Sequence, residues 1–194
     1  MPVEIGKAPA NLSENPIQVM HDCHRRIERF LYVIVTIKRQ AQGGLLSPEQ
    51  RSALGAALRY FREAAPWHVL DEQESLFPRL RGARKTDPST SEVLGALELE
   101  HAVVQACHRE MDFLGRKWLD QGSLSATDTS RFTELIRKLC IIYHHHIHEE
   151  ESRVFPLAEK VLLKSEIFAI GQEMAARRQV PFVYEMMANL SLDA

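Results

Sequence analysis

The sequence predicts an all-α protein: an antiparallel up-down four-helix bundle made by internal duplication of a helix pair, with an extra C-terminal helical segment. Three observations predict it. Apolar residues recur at three- and four-residue intervals along four long stretches, the period of a helix with one face in a core. The connections between these stretches are short and carry helix start and stop signals, which favours antiparallel neighbours. A third sign is repetition. Residues Trp67 to Pro78 are echoed seventy-eight positions later around His146 to Pro156, and each copy ends in Phe-Pro.

Residues 1–16 hold Pro2, Pro9 and Pro16 with Gly6 and no periodicity, and read as a lead-in to the first helix. From about Ile17 to Gln42 the stripe is Ile27, Phe30, Leu31, Ile34 and Ile37; one turn back it reaches His24, with His21 beyond. Gly43-Gly44 stops this helix. Ser47-Pro48-Glu49-Gln50 starts the next, with Ser as N-cap, Pro at N1 and Gln at the capping-box position.

The second helix carries Leu54, Leu58, Phe61, Ala65, His68, Glu72 and Leu76 on one stripe, with Pro66 expected to kink it just before the histidine. Residues 82–89 read as the longest internal loop. A third helix is expected from about Ser89 to Gln121, with Leu94, Leu97, His101, Val104, His108, Met111, Gly115 and Trp118 inward. Ser125 or Thr127 caps a fourth, expected through to Leu163, with Leu135, Leu139, Ile142, His146, Glu150, Val154, Leu157 and Val161 inward. The expected organisation is therefore a lead-in at 1–16, a bundle at 17–163 and a helical tail at 164–194.

Composition narrows the class of function. A 194-residue chain with 45% hydrophobic and 26% charged residues is long enough for a real core and ordinary for a soluble protein. A net charge of −2 gives no global pull toward nucleic acid or an anionic membrane, and Arg177-Arg178 is too short for a nucleic-acid patch. No apolar run reaches membrane-spanning length. Met1-Pro2-Val3-Glu4 lacks the layout of a secretory signal, and the three cysteines at 23, 107 and 140 favour a reducing compartment. The expectation is a cytoplasmic protein without nucleic-acid or membrane partners.

Histidine is the outlier, with nine in the chain and four packed into 144–148. His68 precedes Glu72 by four residues, and His146 precedes Glu150 by four, so each pair presents an imidazole and a carboxylate on one helical face. His24 lies 44 residues before His68, and His101 lies 45 before His146, which matches the duplication. A lone pair of this kind is usually a surface ion pair. Two in register, each on an apolar stripe, read as ligands. In a bundle His24, His68, Glu72, His101, His146 and Glu150 would project inward, where two ionised carboxylates are tolerable only if paired or bound to a cation. Each repeat offers two His and one carboxylate, the set associated with non-haem Fe(II). Two sets suggest two metals about 3.5–4 Å apart with Glu72 and Glu150 as bridges. Four nitrogens argue against Mg or Ca, and a ligand set without cysteine argues against structural Zn. Loading with Zn or Mn instead of iron is the alternative.

On these residues the chain resembles the hemerythrin-like (HHE cation-binding) family over roughly 17–163. The most specific parts are His24-Arg-Arg-Ile, His68 to Glu72 with Leu76-Phe77-Pro78, His101, and His146 to Glu150 with Val154-Phe155-Pro156. The resemblance implies a carboxylate-bridged di-iron centre in a four-helix bundle and the binding, sensing or reduction of O2, NO or peroxide, in redox or nitrosative stress or iron homeostasis. Respiratory members carry a further histidine four positions after the one matched by His101; here that position is Gln105, which implies a more open metal.

Other residues read more plainly. His21, His108, His144, His145 and His148 are expected in core, surface or supporting roles, with His21 or His108 as an additional ligand the alternative, and Tyr143 in packing. Asp71, Glu74, Glu149 and Glu151 are expected as solvated charges or as partners orienting the imidazoles. Cys23 and Cys107 read as small buried thiols. Met174, Phe182, Tyr184, Met186 and Met187 would give the tail an adaptable apolar surface for a partner or a homodimer. The competing reading is a metal-stabilised regulatory module without turnover; a weaker third is Zn- or Mn-dependent hydrolysis.

Overall fold

The computed structural model describes residues 15–83 and 87–179, and the expectations for the lead-in before Asn15 and for Phe182, Tyr184, Met186 and Met187 fall outside them. Among the described residues there is no strand. The elements are α1 (Pro16–Ala41), α2 (Pro48–Glu63), α3 (Ala65–Leu70), a π-helical turn π1 (Asp71–Leu76), α4 (Phe77–Gly82), α5 (Pro88–Gln121), α6 (Ala126–Glu149), a second π turn π2 (Glu150–Val154), α7 (Phe155–Val161) and α8 (Lys164–Arg177). Because α2 to α4 run on as one rod and α6 to α7 as another, five helical units result.

Each start has its local cause. The Asn15 side chain accepts from the Gln18 N–H at 3.0 Å, with Pro16 at the first turn of α1. Ser47 and Gln50 form the reciprocal capping box. Ser125 caps α6 by accepting from the Asp128 N–H. The stop after α1 falls on Gln42 in the left-handed region, followed by Gly43 at φ +85, where an added Cβ would lie 2.2 Å from Thr129 Oγ1. Only glycine fits there. This tight corner ties two connections together: the Leu124 N–H donates to Gly43 O at 2.8 Å and Trp118 Nε1 to Gly44 O at 2.8 Å.

α1 packs on α2 and α6, and α5 packs on the same two helices, so the four close a ring. Inside it the apolar residues form two clusters. One holds Ile27 to Ile37, Leu54 to Ala65, Val104 to Trp118 and Phe132 to Ile147. The other holds Ile17 to Met20, Leu76 to Leu80, Leu94 and Leu97, and Val154 to Leu162, joined by Ile170, Met174 and Ala175 of α8. In every rod the predicted ligands fall at the passage from one cluster to the other. A polar layer thus crosses an otherwise oily interior. Among the described residues no helix is long and apolar enough to cross a membrane.

Two expectations need correction. The second and fourth rods are not continuous α-helices: beyond the expected kink ahead of Pro66, which falls at Ala64, each widens into a π turn, at Asp71–Leu76 and Glu150–Val154. The cause of the widening is the Phe-Pro tail. Pro78 and Pro156 have no N–H and crowd the carbonyl four residues back, so the turn before each opens and the N–H groups of Phe77 and Phe155 reach five residues back, to Glu72 O and Glu150 O. The wider turns let both Leu76 and Phe77, and both Val154 and Phe155, face the core. Boundaries also shift slightly, since helix already begins at Pro16 and α7 ends at Val161, short of the expected 163.

Candidate metal centre

All six predicted residues meet at the layer between the clusters, and none is more than 4% exposed. They form two overlapping groups of four: His24, His68, Glu72 and Glu150, and Glu72, His101, His146 and Glu150, each with its donor atoms within 4.8 Å of one another. The carboxylates belong to both groups. Glu72 Oε1 lies 3.1 Å from His68 Nε2 and its Oε2 3.2 Å from His101 Nε2. Glu150 Oε2 lies 3.0 Å from His24 Nε2 and its Oε1 3.1 Å from His146 Nε2. Each glutamate therefore spans one histidine of each repeat, the arrangement that a bridging carboxylate requires.

The protein alone does not satisfy this layer. All four carboxylate oxygens are buried without a protein hydrogen-bond partner, as are His24 Nε2 and both ring nitrogens of His101. Such orphans cost about 1–3 kcal/mol each, more when charged, so a cluster of them marks a place made for a ligand. The charges agree. Burial, then the facing Glu150, push the Glu72 carboxyl well above the ordinary range. Burial pushes Glu150 up too, but His146 and His24 outweigh it and hold it well below. Two carboxylates this close do not both ionise without a cation. Burial, then His24, keep the His68 ring well below its ordinary value, and burial, then His146, bring His101 down to about 4. Those two rings are neutral at pH 7, the form in which a nitrogen offers a lone pair. Oxygen and neutral nitrogen donors in this ratio fit one or two transition-metal cations.

Two outer carboxylates orient the imidazoles. His24 Nδ1 lies 2.8 Å from Glu151 Oε1, and His146 Nδ1 lies 2.9 Å from Glu100 Oε2. An N–H donated outward there turns the Nε2 lone pair inward. His21 also reaches Glu151, at 3.2 Å, but Arg25 pairs with the same oxygen, and the Glu151 contacts serve to steady His24. The spacing argument does not reach Glu100. It stands one position before His101, turned from the core toward α6, and no helical periodicity within α5 marks it.

A cavity of about 20 Å³ adjoins the layer, lined by His24, His68, His101 and His146 with Ile27, Ala65, Val69, Val104, Tyr143 and Ile147. That is space for about one water-sized molecule. His108 is not among the converging residues; its Nε2 lies 3.2 Å from the Tyr143 hydroxyl, and its ring packs on Phe61. His144, His145 and His148 are exposed, as is Gln105. Asp71 departs from expectation. It is neither solvated nor beside an imidazole, but 0% exposed and paired with Arg177 and Arg178 of the α8 end.

The chain matches the hemerythrin HHE cation binding domain over residues 15–158. It is also similar to a Haemophilus influenzae protein described only as uncharacterized, 27% identical over 165 residues that cover 85% of this chain and 91% of the relative.

Proposed function

The chain belongs to the hemerythrin HHE cation-binding domain family, and from that premise we propose that it is a non-haem di-iron protein that binds, senses or reduces O2, NO or peroxide. The observation that carries the reading is the pair of glutamates, each with its two oxygens toward histidines of different repeats and none of those oxygens satisfied by protein. His24, His68, His101 and His146 would supply nitrogens, and Glu72 and Glu150 would bridge. Iron held there supplies an open position and one-electron chemistry to a diatomic. The chain's own part is to hold the donors rigid, to keep His68 and His101 neutral, and to exclude bulk water. The adjoining 20 Å³ cavity, room for about one water-sized molecule, is in keeping with a ligand of very few atoms. Zn or Mn in the same donors is the expected misloading.

The same reading takes the four helices as an antiparallel up-down bundle over 17–163. Support comes from the alternating order in which successive rods pass between the two apolar clusters, and from the shared end of the 42–47 and 122–125 connections. It places the protein in the cytoplasm, without nucleic acid or membrane partners, and leaves the tail beyond α8 for a partner or second copy, since Met174, expected to offer apolar surface there, is itself buried against the bundle. The regulatory-module reading, binding without turnover, draws on one observation: α8 grips the turn that carries Glu72.

Elemental analysis of untagged protein should find about two irons per chain, with oxo-bridged di-iron absorption appearing on exposure to air. Glu72→Ala and Glu150→Ala should abolish loading while circular dichroism stays helical. Two irons retained in either variant would sink the assignment.

A further inference from the structure

We propose that Asp71 is a positioning residue for Glu72, and that α8 is the strap that holds it in place. The inference rests on the metal reading above. Asp71 opens π1, and Glu72 follows it on the face toward the histidines. A carboxylate at 0% exposure is stable as an ion only with full pairing, and α8 supplies it. Arg177 Nη1 and Arg178 Nη1 both donate to Asp71 Oδ1 at 3.0 Å, and Arg178 Nη2 donates to Oδ2. The same end of α8 holds the rest of the turn. Arg177 donates through Nη2 to Ser75 Oγ and through Nε to Glu74 Oε2 at 3.2 Å. Further along, Glu173 accepts both Nη groups of Arg79, at 3.0 and 2.7 Å, while Arg79 Nη1 also reaches Ser75 O.

These contacts matter because π1 is a widened turn with less backbone support than an α turn. Three of its six residues, Asp71, Glu74 and Ser75, take their side-chain partners from Arg177 or Arg178. The apolar face of α8 is docked as well, with Ile170 and Met174 at 0% exposure in the cluster that contains Leu76 and Phe77. Docking of α8 and the aim of Glu72 are thus one event. Coupling of this kind is reciprocal: metal in the layer favours the docked helix, and the docked helix favours metal. The second repeat lacks the device. Among the described residues Glu149, the counterpart of Asp71, pairs along its own helix surface, with Arg153.

The test uses the full chain and Fe(II) or Co(II) under anaerobic competition with a chelator, with hydrogen exchange read over 164–177. Asp71→Asn and the double variant R177A/R178A should weaken metal affinity by about 10- to 100-fold, with helicity kept. At saturating Co(II) their visible spectra should shift, which loosened packing elsewhere would not produce. In the wild type, metal should slow exchange along α8, and the variants should lose that difference. Glu149→Gln should match wild type throughout. Wild-type affinity and spectrum in Asp71→Asn, or α8 exchange indifferent to metal, would overturn the coupling while leaving the metal site standing. A wild-type chain that binds no metal removes both.

Discussion

The two π turns each present one glutamate of the polar layer, Glu72 and Glu150, yet they are held by opposite means. π1 is gripped from outside the ring: its Asp71 is buried under the arginines that end α8. π2 is gripped from within, since its Glu151 reaches across to His24 and Arg25 on α1. The repeats share the part that faces the polar layer, His-x-x-x-Glu followed by Phe-Pro, and differ in its supports. Geometry toward the ligand is common to the repeats; the means of controlling it differ. Each phenylalanine also covers an imidazole of the opposite repeat, Phe77 near His101 and Phe155 against His24.

That last pairing gives the largest expected effect. Phe77 and Phe155 are 0% and 1% exposed, and truncating a buried Phe costs about 3–5 kcal/mol. They should not cost the same. Phe155 stacks on His24 at 5.4 Å and meets His21 edge-on at 4.9 Å, whereas among the described residues Phe77 has its ring contact with His101, at 6.3 Å. Phe155→Ala should therefore sit at the upper end of the range and Phe77→Ala at the lower, in denaturant unfolding of metal-free protein. Equal costs would mean that packing volume alone sets the price and that the stacked rings add nothing.

Much of this was legible beforehand, for one physical reason. Helical periodicity and the i, i+4 rule are local, so the four stripes, the Ser47 capping box and the convergence of six side chains could be read from spacing. The π turns are not legible from periodicity, and Pro78 and Pro156 announce them only when each proline is weighed as a missing donor inside a helix. Asp71 and Glu100 escaped for another reason. Their partners, Arg178 and His146, lie 107 and 46 residues away, and a charge beside a ligand looks solvated until the helix that covers it is placed.

A second difference between repeats lies two turns beyond the ligands, where the first has buried Leu31 and the second has His108. Burial brings the His108 ring down to about 4 from an ordinary 6.5. The folded chain then refuses a proton that the unfolded chain accepts. Stability from this group is intact above pH 6.5 and falls as the pH drops toward 4, by about 2–3 kcal/mol, the lower figure allowing for the ring's remaining solvent contact. His108→Leu, which restores the first repeat's residue, should cost about 1 kcal/mol near pH 7 through the stranded Tyr143 hydroxyl. Unfolding measured at pH 7 and pH 4.5 should show the gap between variant and wild type moving in the variant's favour as pH falls. A gap that does not move with pH would place the His108 proton elsewhere.

The smallest expected effect separates the helix starts of the two repeats. Ser47 accepts from the Gln50 N–H at 3.2 Å, and Gln50 Oε1 accepts from the Ser47 N–H at 2.9 Å. Ser125 accepts from the Asp128 N–H at 3.1 Å, but its hydroxyl also donates to Asp128 Oδ2 at 2.8 Å, the oxygen that holds Lys117. Ser47→Ala removes one helical N–H partner and a donor to the exposed Glu49, whose Oε2 lies 2.7 Å from Ser47 Oγ, and leaves the return bond from Gln50 in place. Ser125→Ala removes the N–H partner and also a donor to the carboxylate that pairs with Lys117. Caps of this kind are worth about 0.5–2 kcal/mol, so Ser47→Ala should fall in the lower half of that range and Ser125→Ala in the upper half. Denaturation midpoints, with amide exchange at Gln50 and Asp128, decide the order. The reverse order would mean that the reciprocal box outweighs the Ser125–Asp128–Lys117 link as a way to begin a helix in this bundle.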